Sequence, residues 1–250
     1  MLKMDVDSSN NIDVTKEPCP DATATPNPDI TVINSIKENY LSWVCIFISV
    51  FTISYPNYIK GYGTFFLMMI LGHLSHYGIH FYRNILTILH HYHHENNNFF
   101  SHFIQILLEI AFVLVFAPFY FIYGTIFLDE WVLLLFVIFY STVHNINYGI
   151  FRVNKVHSLH HQNIFTNMGP DICDILFRTK NKQETNVENT DHYIPNIIIG
   201  TIIVLFLQKL YKNDANKPIM IGLLKLGLAT CFIVTFISSI YIWFFNSNKR

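Results

Sequence analysis

Apolar residues recur along the chain in long runs, separated by short turns and by two polar stretches. The runs read as helices over Leu41–Tyr58, Tyr62–His80, Phe103–Tyr123, Thr125–Val143, Ile197–Tyr211 and Ile219–Phe245. The last carries a single charge, Lys225, and exceeds the roughly 20 apolar residues that span a bilayer. Pro56, Asn57 and Gly61 mark a turn within the first pair, and Gly124 marks one within the second. Each pair is therefore expected to form an antiparallel helical hairpin. The polar stretches, residues 81–102 and 149–196, then fall on one side of the membrane. They hold Arg83, Arg152, Lys155, Arg178, Lys180 and Lys182, against Lys60, Asp129 and Glu130 opposite, which favours the cytosolic side. Lys212 and Lys217 argue the other way for the last hairpin.

Composition agrees with this pattern. The chain of 250 residues is 52% apolar and only 13% charged, with a mean hydropathy of +0.33. That charged share is about half the usual one for a soluble domain. A net charge of −1 gives no electrostatic reason to expect nucleic-acid binding. Residues 1–37 are polar and proline-bearing, and read as a disordered tail. No basic segment with an adjacent apolar core opens the chain, so the first membrane segment is expected to act as its own insertion signal. The expected fold is all-α: a polytopic integral membrane helical bundle over 38–182, a polar linker at 183–196 and a C-terminal transmembrane hairpin at 197–250.

Histidine changes the picture. There are thirteen, mostly clustered. His73-Leu-Ser-His76-Tyr-Gly-Ile-His80 has spacings of three and four, which put its rings on one helical stripe. His90-His91-Tyr-His93-His94 and His157-Ser-Leu-His160-His161 share the pattern H-x-x-H-H. Its rings at i, i+3 and i+4 converge, so that three imidazoles approach one metal ion or bridge toward two. His144 precedes the third cluster. The expected ligands are His76, His80, His90, His93, His94, His144, His157, His160 and His161, enough for two ions. Imidazole suits zinc, copper, iron and nickel, so the donors leave the metal open. His91 falls about 100° off its neighbours' face and is read as a non-ligand. His73 lies about two turns deeper than His80 and stays open. His102 and His192 are read as spectators. Cys19, Cys45, Cys173 and Cys231 form no C-x-x-C, which speaks against a thiolate zinc site.

The order of these clusters resembles the fatty acid hydroxylase superfamily, which includes sterol desaturases, C-4 sterol methyl oxidases and fatty acid 2-hydroxylases. The segment Asn167-Met-Gly-Pro-Asp-Ile-Cys-Asp174-Ile-Leu-Phe177-Arg-Thr179 is similar to that family's Asn-Tyr-Gly … Asp-x-Leu-Phe-Gly-Thr. The resemblance covers roughly residues 62–182. It implies a membrane enzyme with a cytosolic histidine-rich cap holding two iron ions, with zinc able to replace them on purification. It further implies O2 as oxidant, and electrons from NAD(P)H through a separate protein of the cytochrome b5 type. The substrate would be a lipid entering from the bilayer, a sterol or a fatty acyl chain, and the membrane that of the endoplasmic reticulum. Two departures stand out: Arg178 replaces the family's glycine, and an apolar hairpin is added after residue 196.

The chemistry has its own argument. A methylene of a lipid offers neither an acidic proton nor an electrophile, so oxidising it needs a cofactor. G-x-S-x-G, H-E-x-x-H, G-x-G-x-x-G and P-loop patterns are absent. So is the E-x-x-H of soluble di-iron proteins. Asp171 or Asp174 could orient imidazoles as outer hydrogen-bond acceptors, though a purely structural Asp174 is an equal option. Hydroxylation is the expected reaction, with desaturation the alternative. A membrane metal transporter or buffer is a second class. It would need ionisable groups near the midplane, where only Glu109, His73 and Lys225 qualify. An inactive scaffold descended from such an enzyme is a third, and the full set of nine histidines counts against it.

Overall fold

A computed structural model describes residues 29–81, 85–96, 98–115 and 128–212. Among these residues every regular element is helical. The expected run Ile219–Phe245, and the end of Phe103–Tyr123, lie outside the described residues.

The first helix, α1 (Val32–Glu38), forms within the stretch expected to be disordered. Its local signals are sufficient: Thr31 caps the Asn34 N–H at 3.1 Å. Ser35 then anchors the helix by donating to Asp171 at 3.1 Å. The expectation of disorder over 1–37 is therefore corrected for Val32–Glu38, while residues 1–28 lie outside the described residues. An 83° bend leads into α2 (Tyr40–Ser54). The Pro56 turn returns the chain as α3 (Tyr58–Phe81), as the hairpin reading expects. A Cβ on Gly61 would meet Ser54 Oγ at 2.3 Å, so only glycine allows the two helices to approach this closely.

Helix α4 (Ile85–Glu95) and α5 (Phe99–Val115) pack on each other. Asp129 then caps α6 (Glu130–Thr142), accepting N–H bonds from Trp131 and Val132 at 3.1 and 3.0 Å. Without a break, α6 widens into a π-helical segment, Val143–Ile150. The short helices α7 (Val156–Gln162) and α8 (Asp171–Phe177) follow, then a 3-10 turn at Asp191–Tyr193 and α9 (Ile194–Tyr211).

Helices α2, α3, α6 and α9 pack together around Val50, Met68, Val132, Leu135, Ile197 and Val204. Among the described residues, two helical stretches are long and apolar enough to cross a membrane: Glu130–Ile150 and Asp191–Tyr211. The bent pair α1–α2 is a third, broken candidate. On α9, Ile197, Gly200 and Val204 are buried while Ile198, Ile199, Ile202 and Phe206 remain exposed.

The expected polar linker at 183–196 is a packed part of the fold. Asn39 donates to the Glu188 carbonyl at 2.7 Å and accepts the Thr190 N–H at 2.7 Å, while Ser42 donates to the Thr190 carbonyl. Asn147 of the π-helical segment donates to His192 O and Asn196 Oδ1. These bonds gather the starts of α2 and α9 and the end of the α6 stretch at one end of the molecule.

Candidate metal centre

At that end the three histidine clusters meet, and they sort into two groups. One ligand nitrogen from each of His76, His80, His90, His94 and His160 lies within 4.8 Å of the others. His93, His144 and His157 form a second group by the same measure. Each H-x-x-H-H motif is thus divided. His90 and His94 enter the five-membered group, while His93 faces the other. His160 enters the five, and His157 the three. His161 adjoins the second group, its Nε2 lying 2.8 Å from that of His157.

The rings are held from behind. His76 Nδ1 pairs with the Met168 carbonyl at 2.8 Å, His160 Nδ1 with the Thr166 carbonyl at 2.6 Å, and His161 Nδ1 with the His94 carbonyl at 3.2 Å. A carbonyl only accepts, so the proton sits on Nδ1 and the lone pair on Nε2. His90 Nδ1 pairs likewise with Gln105 Oε1 at 2.9 Å. His144 Nδ1 donates to Glu109 Oε1 at 2.5 Å.

The consequence is electrostatic. His76 and His90 both keep their protons on Nδ1, yet their Nε2 atoms face each other at 3.2 Å. Two lone pairs at this separation repel unless a cation lies between them. His94 Nε2 also stands 3.0 Å from that of His90, and its own Nδ1 has no partner. Nitrogens about 2.1 Å from one ion sit roughly 3 to 4 Å apart, which matches. Both nitrogens of His80 and of His93, and Nε2 of His144 and His160, are buried without a hydrogen-bond partner. Buried polar atoms normally have one, and a metal ion would supply it.

Burial works against relieving the crowding by protonation. Burial is the main cause that lowers the imidazoles outside the long helices, to about 4 at His161, about 3 at His90 and about 2 at His93. His94, His157 and His160 are lowered well below the ordinary range for the same reason, with neighbouring imidazoles adding to it. Neutral rings are what a metal requires of histidine.

The π-helical segment explains how His144 arrives. Its wider turn buries Val143, His144 and Asn145 in succession, so His144 reaches the second group while Asn145 donates to Glu109 Oε2 at 3.0 Å. Such widened turns occur often at functional sites.

Of the remaining histidines, neither His73 nor His91 joins a group. His73 is a clamp: its Nδ1 bonds the Gly169 carbonyl at 3.2 Å and its ring stacks on Phe177 at 4.9 Å. His192 lies 3.8 Å from Glu188 and packs on Tyr148 and Tyr193, outside both groups. His102 also belongs to neither, but its ring stands 5.0 Å from that of His93, closer to the centre than the reading as a spectator implies.

The outer acceptors differ from those expected. Asp171 is engaged with Ser35 and Lys180, away from the imidazoles. Asp174 accepts the N–H groups of Met168 and Gly169, both at 2.8 Å, and the Thr179 hydroxyl at 2.6 Å. It shapes the loop whose Met168 carbonyl holds His76, and so acts at one remove. The carboxylate on a grouped imidazole is Glu109.

A cavity opens beside the five-membered group, between α3, α5 and α6. Its walls are mostly apolar, from Gly72, Leu108, Phe136 and Val137, while Gln105 and Glu109 line it beside His76 and His90. A second, smaller cavity touches His144 and His157 and reaches the buried Glu188.

The chain matches no protein-family model, no curated protein and no solved structure.

Proposed function

We propose that this chain is a polytopic membrane enzyme in which the two histidine groups each hold an iron ion and together oxidise an unactivated C–H bond of a lipid with O2. The observation that carries the reading is the gathering of histidine nitrogens around two separate points, with the Nε2 lone pairs of His76 and His90 facing each other in one and the unpartnered nitrogens of His93 and His144 meeting in the other. Two redox-active ions supply an oxidant for a C–H bond that no side chain provides. Hydroxylation consumes one O2, two electrons and two protons, and returns the alcohol and one water.

The chain's own residues support the other requirements. The donor set is almost wholly imidazole, which iron accepts and which gives the ions no charge compensation beyond Glu109. The apolar cavity lies against His76 and His90, where an alkyl or ring carbon can approach the ions without water. Helix α9 is apolar on both its packed and its exposed faces, as a helix in lipid must be. On this reading the exposed apolar faces meet acyl chains, and substrate enters sideways from them. The histidine end carries Arg152, Lys155, Arg178 and Lys182, all exposed, which supports its placement on the cytosolic side. There a separate reductant of the cytochrome b5 type can deliver electrons. The endoplasmic reticulum is the membrane this reading assigns.

Expression in a host that supplies a cytochrome b5, followed by lipid extraction and mass spectrometry, tests the proposal. A lipid that gains one oxygen supports it. Loss of two hydrogens would assign the same centre to desaturation. An unchanged lipid profile with both ions bound and reductant present would contradict an oxygenase and favour metal storage or transport.

A further inference from the structure

The two histidine groups are joined by a hydrogen-bonded chain through α5. Gln105 Oε1 accepts the Nδ1–H of His90, a member of the five-membered group, at 2.9 Å. Gln105 Nε2 donates to Glu109 Oε1 at 3.1 Å, one helical turn on. The same Glu109 oxygen accepts the Nδ1–H of His144, a member of the other group, at 2.5 Å. All four side chains are buried.

The chain has only one consistent polarity. Glu109 Oε1 accepts from both Gln105 and His144, so Gln105 presents its amide N–H groups to it. The Gln105 oxygen then has to face His90. Reversing the amide would set its N–H groups against the His90 N–H and its oxygen against the carboxylate. Both errors would be buried, where an unmade bond to a charged group costs most. The orientation and tautomer of His90 are thus tied to those of His144. Among the described residues, Glu109 is the one carboxylate hydrogen-bonded to an imidazole of either group.

We propose that Gln105 and Glu109 are positioning residues that couple the two histidine groups, so that an ion in one group raises the affinity of the other. An ion on His144 fixes that ring, and with it Glu109, Gln105 and His90. The second ion then meets a ring already ordered, and the cost of ordering falls on the first binding event alone. Linkage requires the effect to run equally in both directions. The proposal rests on the two-ion reading above.

A double-mutant cycle on the full-length protein in detergent tests it, with Co2+ as the probe and its visible absorption as the readout. His157→Ala removes a ligand of the three-membered group without touching the bridge. In the otherwise native protein it should lower the Co2+ affinity of the five-membered group about tenfold. In a Gln105→Met background the same change should no longer lower that affinity. Repulsion between the two cations is common to both backgrounds and drops out of the comparison. Glu109→Gln provides a second break in the bridge, and decides the matter if Gln105→Met does not fold. Equal losses with the bridge intact and broken would overturn the coupling, while uptake of two Co2+ per chain would leave the two-ion reading standing. Uptake of fewer than two by the native protein would overturn both.

Discussion

His160 is wholly buried, donates its Nδ1–H to the Thr166 carbonyl and leaves Nε2 without any other partner. His160→Ala should therefore abolish turnover and cost the five-membered group at least about tenfold in metal affinity. His192→Ala should keep both ions, measured as metal content of protein purified from equal amounts of membrane. Acid should act on the same rings. In the unfolded chain they take up protons near the ordinary value of 6.5, whereas burial holds His161 near 4 and His90 near 3 in the folded one. The unfolded state thus binds more protons between those values, so stability is full above about 6.5 and falls as the pH drops toward 4. The thermal midpoint of the metal-free protein should be flat from pH 7 to 8 and decline below 6.5. A midpoint that rises on acidification would contradict buried neutral histidines. Helical spacing marked the clusters that hold eight of the nine expected ligands, and His144 was singled out by its place before the third; the structure brings eight of the nine into the two groups and sets His161 beside the second. Glu109 and Gln105 were not legible, since their partners His90 and His144 lie 15 and 35 residues away. One signal was present in the sequence: a lone carboxylate in an apolar run is costly and usually has a purpose.

At the scale of the element, Arg178 marks a local cost. It ends α8 in the left-handed conformation, with φ 59°, where a side chain clashes and glycine does not. The backbone here is one that favours glycine. Arg178→Gly should stabilise the protein by about 1 kcal/mol, visible as a higher thermal midpoint with metal content unchanged. A lower midpoint would mean that the exposed arginine makes a compensating contact. Long apolar runs revealed the main helices, because lipid or core burial demands them continuously. The π-helical segment after Thr142 escaped notice, since one widened turn leaves the composition of a helix unchanged. Helix α1 was hidden for a different reason. It is a seven-residue helix with few apolar residues, and it depends on Ser35 reaching Asp171, 136 positions away.

Across the whole molecule, the starts of α2 and α9 and the ends of α3 and the α6 stretch converge where the histidines are. The polar stretches were expected to share one side of a membrane; the structure shows that their histidines meet at one end of the described residues. The hairpin pattern did not anticipate that residues 183–196 would be sewn into the fold through Asn39, Ser42 and Asn147, as hydrogen bonds between distant polar residues leave no periodic trace. The division of the ligands into groups of five and three, with His161 beside the smaller, is likewise a property of the assembled chain. The central claim is that these groups are two metal sites, and the metal content of the folded protein tests it most directly. Elemental analysis of full-length protein purified from iron-supplemented cells should give two ions per chain, of iron or of zinc that has replaced it. One ion or none per chain, in protein that retains its helical fold, would contradict the account.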